Sequence, residues 1–161
     1  MAKKKIQKTN AIRLVEQKKI DYIEHEYAWS EEDLGAGHVS EQVKIEPARI
    51  FKTLVAVGNK TGPVVAVVPS NHELDLKKIA KASGNKKVEM LHLRDLEATT
   101  GYIRGGCSPI GMKKLFPTFV DASAKSFEKI AISAGRRGLQ MEIAPDAIVE
   151  LTRGQFVELT L

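Results

Sequence analysis

The apolar positions of this chain switch between a helical and a strand-like period, and the switches mark its elements. Thr9 or Asn10 precedes Ile12, Leu14 and Val15, an N-cap followed by a helical face, which predicts a helix ending near Lys19. Residues 22–27 then alternate as a half-buried strand does. A loop over residues 30–37, a short helix over 38–44 and Pro47 lead into Ile50-Phe51-Lys52-Thr53-Leu54-Val55-Ala56-Val57. That run, the turn Asn59-Lys60-Thr61-Gly62 and the strand over 64–68 predict a hairpin. Its nearly unbroken apolar character implies burial on both faces.

Beyond the hairpin, Asp75 caps a predicted helix that runs to Ser83, turns Leu76, Ile79 and Ala80 inward and ends at Gly84. A strand over 87–90 and a helix over 92–99 closed by Gly101 follow. The last third predicts strands over 118–121, 129–133, 139–143 and 155–160, a hairpin turn over 134–138 and a helix over 145–151. Helices and hairpins interleave without a strict βαβ rhythm. The pattern therefore implies a mixed α/β fold, a single compact domain whose mixed β-sheet, open or rolled into a barrel-like form, is flanked by helices, rather than a doubly wound parallel sheet.

Size agrees with one domain: 161 residues, 43% of them apolar, are enough for a core. Net charge is +5, which favours a polyanionic partner such as nucleic acid without demanding one. A single cysteine rules out an internal disulfide, and no apolar run reaches the ~18 residues expected of a membrane helix. The basic start Met1-Ala2-Lys3-Lys4-Lys5 continues into polar Gln7-Lys8-Thr9-Asn10 rather than an apolar segment, so a cytoplasmic protein is expected, with no membrane partner. Residues 1–8 read as a basic tail and 9–161 as the domain; Lys3–Lys5 is a solvated terminus or an RNA grip.

Candidate chemistry is sparse. His25, His38, His72 and His92 show no metal-ligand spacing, and no phosphate-loop or dinucleotide fingerprint occurs, so neither metal nor cofactor is expected. Lys52 stands out as a cation near the start of an apolar strand, either facing water or turned into a pocket. Acting as a base near neutral pH would cost a lysine about 4 kcal/mol in lost charge preference, so a pocket lysine serves first as a cation for phosphate or a ribose hydroxyl. Thr53 beside it offers a hydrogen-bonding hydroxyl.

Gly105-Gly106-Cys107-Ser108-Pro109-Ile110-Gly111 is either a tight connection or a loop whose amides face an oxyanion. Cys107 as nucleophile would need a base or positive field, and no histidine is near in sequence. Ser133-Ala134-Gly135-Arg136-Arg137-Gly138 offers a hydroxyl and two arginines, in a solvated turn or against an RNA backbone.

Taken with Gly101-Tyr102 and Glu142-Ile143-Ala144-Pro145, these motifs closely resemble, in order and spacing, the YbaK/EbsC family of Cys-tRNA(Pro) deacylases, relatives of the editing domain of bacterial prolyl-tRNA synthetase. The resemblance spans Asn10 to Thr160. It implies trans-editing: prolyl-tRNA synthetase mischarges cysteine onto tRNA(Pro), and the deacylase cleaves the ester. It places Lys52 and Gly106 in the catalytic machinery, Lys52 on the 3′-terminal adenosine and Gly106 on the oxyanion. Tyr27, Phe51, Thr53, Gly105, Ser108, Ser133 and Gly135 would bind substrate, with position 107 the weakest match.

The mechanism implied by the family is substrate-assisted: the thiol of the bound cysteine attacks its own ester, leaving Cys107 a bystander. Mischarged tRNA(Pro) is the implied substrate and prolyl-tRNA synthetase a further partner. Competing readings are a deacylase for Ala-tRNA(Pro) or another small amino acid, a non-catalytic tRNA- or synthetase-binding module, and a cysteine hydrolase acting through Cys107.

Overall fold

In the computed structural model, residues 8–28 and 43–161 are described; residues 1–7 of the predicted basic tail, the loop over 30–37, His38 and most of the helix expected over 38–44 lie outside them. Helix α1 (Asn10–Gln17) starts where Thr9 accepts a hydrogen bond from the Ile12 N–H at 3.1 Å, and it buries Ala11, Ile12 and Val15. Strand β1 (Tyr22–Glu26) follows, then the long hairpin β2 (Phe51–Gly58) and β3 (Gly62–Pro69). Helix α2 (Leu76–Ser83) is capped by Asp75, whose carboxylate accepts from Lys77 and Lys78, and ends at Gly84 in the left-handed conformation.

After β4 (Val88–Met90), the predicted helix over 92–99 divides into a 3-10 turn, Leu93–Asp95, and a short α3 (Leu96–Thr100) closed by Gly101. Strands β5 (Thr118–Asp121), β6 (Ile130–Arg136) and β7 (Leu139–Ile143), helix α4 (Pro145–Thr152) and β8 (Gln155–Val157) complete the order. Two boundaries move. β6 continues through an irregularity at Ser133–Arg136, so the expected five-residue turn shrinks to Arg137-Gly138, and the last strand stops at Val157.

The mixed, barrel-like sheet takes the form of two sheets that do not close among the described residues. One has the order β1-β7-β6 and is antiparallel; the other is β4-β2-β3-β5-β8, with β3-β5 and β5-β8 parallel. A parallel bridge between Ile50 and Ala131 joins them just before the start of β2.

Burial on both faces of the hairpin follows from this layering. Phe51, Val55, Val65 and Val67 point toward α1, α4 and the three-stranded sheet, where Ile132, Met141 and Ile148 are fully buried. Ala56, Val64, Ala66 and Val68 face the opposite way, under Ile79 of α2 and against Phe119 and Leu159. At ~1.5–3 kcal/mol for each fully buried large apolar side chain, both layers must form for the hairpin to be held. The base of β2 is thereby fixed at the junction of the two sheets.

Candidate functional site

That junction carries a cavity of about 480 Å³. β4 pairs only with Ala56–Gly58 of β2, so the stretch from Phe51 to Leu54 has no strand along its outer edge, and the cavity opens there. Phe51, Lys52 and Thr53 form this wall; Phe51 is buried at its base, while Lys52 and Thr53 are half-buried. Lys52 thus takes the pocket alternative that composition left open.

The opposite side comes from the three-stranded sheet. Ser133 of β6 and Gln140 of β7 are directly paired and both line the cavity. Tyr27 stands at the end of β1, fixed by its N–H donating to the Gly138 carbonyl at 2.9 Å and packed on the Val43, Ile45, Ile50 and Ala131 cluster. Leu91, Leu93 and Leu96 give the third side an apolar lining.

Two polar atoms here lack partners. Among the described residues, the buried side-chain atoms without a hydrogen bond are Thr53 Oγ1, Gln140 Oε1 and Arg136 Nε, and the first two belong to cavity residues. A buried amide oxygen left unpaired costs about 1–3 kcal/mol. Such a cost is expected at a site that keeps acceptors ready for a ligand donor. Gln140, only 6% exposed, was invisible in the sequence because a polar residue alternating with Leu139 and Met141 reads as an ordinary solvent-facing strand position.

The glycine loop is where the structure departs most from expectation. Ile103 to Gly106 form a turn closed by the Gly106 N–H donating to the Ile103 carbonyl at 2.9 Å. Gly105 occupies its third position with φ +81°, the value a type II turn requires there, and lines the cavity.

Gly106 does not line it. Its amide is committed to Ile103, and a Cβ at this position would sit 2.9 Å from the backbone of Arg136 and Arg137. Gly106 therefore allows the loop to cross the β6–β7 hairpin, and its N–H is not free to stabilise an oxyanion. The Arg137 Nε–H donates to the Arg104 carbonyl at 2.8 Å across the same crossing.

Two further expectations are corrected. Ser108 is fully buried outside the cavity, its Oγ accepting from the Ile110 N–H at 3.2 Å, so it shapes the loop rather than touching substrate. Gly135 also lies off the cavity; with φ +105° it sits in the β6 irregularity, where a Cβ would come within 3.0 Å of Thr9 and Tyr102 atoms. Its N–H donates to the Ser133 hydroxyl at 3.2 Å, so its bearing on the site is to set the Ser133 orientation.

Cys107 lines the cavity but is only 8% exposed. Burial pushes its thiol up to about 11, against a smaller opposing effect of a hydrogen bond with Thr100. At neutral pH the sulfur is protonated and poorly nucleophilic. Tyr102, beneath the loop, is likewise raised to about 12, first by burial and then by proximity to Cys107, and its hydroxyl donates to the Ile110 carbonyl at 2.6 Å. Among the described residues no cluster of His, Cys, Asp and Glu could hold a metal ion, and no helix is long and apolar enough to cross a membrane.

A lysine-marked cleft on an open strand edge, facing a glycine turn and unpaired polar atoms, has the concave form, apolar lining and few polar groups of a ligand site. Residues 35–151 match the model of the aminoacyl-tRNA editing domain, and the chain belongs to that family.

It is 69% identical over 161 residues to EbsC of Enterococcus faecalis (strain ATCC 700802 / V583), covering 99% of this chain and 98% of that one; EbsC carries the provisional name Cys-tRNA(Pro)/Cys-tRNA(Cys) deacylase. The uncharacterized YwhH of Bacillus subtilis (strain 168) is 26% identical over 113 residues, 70% of this chain and 71% of its own. A crystal structure described as a candidate trans-editing enzyme for prolyl tRNA synthetase superposes with TM-score 0.81 at 22% identity, covering 97% of this chain and 99% of that one. The hypothetical protein APE2540 superposes with TM-score 0.85 at 18% identity, over 94% and 99% of the two chains. At those identities the two structures establish the shared fold.

Proposed function

We propose that this chain is a trans-editing deacylase that removes cysteine mischarged onto tRNA(Pro), acting in the cytoplasm. The observation that carries the reading is the near-full-length 69% identity to EbsC, joined to a cavity in which Lys52, Thr53, Ser133 and Gln140 surround space for an aminoacyl group. Lys52 is the cation for the terminal adenosine. The unpaired acceptors Thr53 Oγ1 and Gln140 Oε1 meet the α-ammonium, whose three N–H groups match them.

The reaction needs no enzyme nucleophile, in keeping with the protonated, buried thiol of Cys107. The substrate cysteine loses its thiol proton and its sulfur attacks the ester carbonyl. The C–S bond forms and the C–O bond to ribose breaks. The ribose hydroxyl departs with a proton, leaving free tRNA and a cyclic thiolactone that opens in water. Proximity within one bound molecule replaces a bimolecular collision, an effect large enough to carry such a step.

An oxyanion donor is still required, and since Gly106 is committed, the amides of Gly105 and Cys107 take that part. Both belong to cavity residues, and neither makes a hydrogen bond among the described residues. One such donor is typically worth ~10²–10³ in rate.

Specificity for tRNA(Pro) is supplied by prolyl-tRNA synthetase as partner, since a cavity of this size encloses little beyond the aminoacylated end. Deacylation of Cys-tRNA(Pro) and Ala-tRNA(Pro) by the purified protein tests the assignment. The cysteinyl ester is expected to be cleaved preferentially, and a preference for alanyl ester would overturn the substrate.

A further inference from the structure

Beside the main cavity lies a second cleft of about 440 Å³. It is lined by Arg94, Arg104 and Arg137 with a single acid, Glu97, and by the side chains of Leu93 and Ile103, which are 58% and 40% exposed. Leu93, Leu96 and Arg104 line both hollows, so the two adjoin. Arg94 and Arg104 make no ion pair among the described residues.

We propose that this cleft holds the unpaired nucleotides immediately upstream of the aminoacylated adenosine, with Arg94 and Arg104 on their phosphates and the exposed Leu93 and Ile103 under a base. The assignment rests on the substrate being an aminoacyl-tRNA. With the ester in the main cavity, the single-stranded end must leave over one of its walls. Three arginines against one glutamate give this wall the charge that a phosphate chain requires, and the apolar patches between them suit the faces of bases.

A hollow on another side lacks that charge, although Phe127 gives it an aromatic lining. The hollow by Arg49 and Lys129 also contains Glu128 and Glu142, and Arg49 is engaged by Glu142 at 2.7 Å. Its lining is electrically balanced and shares no residue with the main cavity.

Binding can be read without catalysis, by fluorescence anisotropy of a labelled single-stranded RNA ending in C-C-A, titrated at several salt concentrations. Arg94→Gln should weaken binding roughly 5-fold and the Arg94→Gln/Arg104→Gln pair roughly 20-fold, the salt slope falling by ~0.7 for each phosphate that is no longer neutralised. In turnover, Arg94→Gln should raise KM for charged tRNA with kcat unchanged, and leave hydrolysis of a cysteinyl ester of adenosine unaffected. Binding by the pair equal to wild type, no binding by the wild type, or an equal effect of Arg94→Gln on the adenosine ester would each overturn the cleft assignment. If the oligonucleotide binds through the arginines while no charged tRNA is hydrolysed, the deacylase reading fails and the cleft stands.

Discussion

The two walls of the main cavity are built by opposite means. On the β2 side, side chains are placed by strand period and by an edge that β4 leaves open, so Lys52 and Thr53 hold their places through a ladder of paired backbone. On the loop side, placement depends on a turn and on a crossing so close that the backbone of Arg136 and Arg137 would lie 2.9 Å from a Cβ on Gly106. A wall of the first kind tolerates a changed side chain and loses only its chemistry. A wall of the second kind loses its position.

The sharpest way to break the comparison is on the first wall. Lys52→Ala should lower kcat/KM for Cys-tRNA(Pro) by ~10²-fold or more, with a thermal midpoint close to wild type, because the half-buried side chain is not part of either core. An equal loss of stability would show that Lys52 is structural.

The reciprocal change is Gly106→Ala. It should destabilise the fold by ~1–3 kcal/mol, the usual cost of overpacking against neighbours that cannot move aside, and lower activity through the displaced loop. Denaturant unfolding measures it. A stable, inactive Gly106→Ala would instead place this glycine at the reacting carbonyl.

Gln140→Leu sharpens the account of the unpaired acceptors. It should raise KM roughly 10-fold while leaving stability equal or slightly higher, since it removes a buried amide with no partner on its oxygen. Unchanged kinetics would remove Gln140 from the site.

The smallest effect is expected at Cys107. Cys107→Ala should keep most activity, and alkylation of the native thiol should be slow until pH approaches 11. Its raised value also gives a stability sign: the contribution is fully present below the ordinary thiol value of 9.0 and is lost as pH rises through about 11. Cys107→Ala should therefore flatten part of the fall in stability above pH 9, read from unfolding curves at successive pH values.

The contrast between the walls also explains what the sequence could reveal. Lys52 was legible because a cation interrupting an apolar strand marks a position that something else must explain, with Thr53 beside it and Ser133 as a hydroxyl at a strand end, whereas Tyr27 was marked only by the family resemblance. The strand ladders themselves followed from period and turn chemistry, down to residues 118–121 and 139–143. Gly106 and Gly135 were misread because a glycine permits close approach without saying what approaches. The Arg136 backbone, thirty residues away in sequence, is the answer for Gly106.

Gln140 was missed for the converse reason. Its alternation is that of a half-exposed strand, and only the meeting of the two sheets at Ile50 and Ala131 turns that face into a cavity. Long-range closeness of this kind leaves no local period.

The central claim is that the reacting thiol arrives on the substrate. Initial rates on Cys-tRNA(Pro) and Ser-tRNA(Pro), which differ by sulfur for oxygen in the side chain, test it most directly. The account predicts that the seryl ester is cleaved at least ~100-fold more slowly, because a hydroxyl is a far weaker internal nucleophile than a thiol. Comparable rates on the two esters would contradict it.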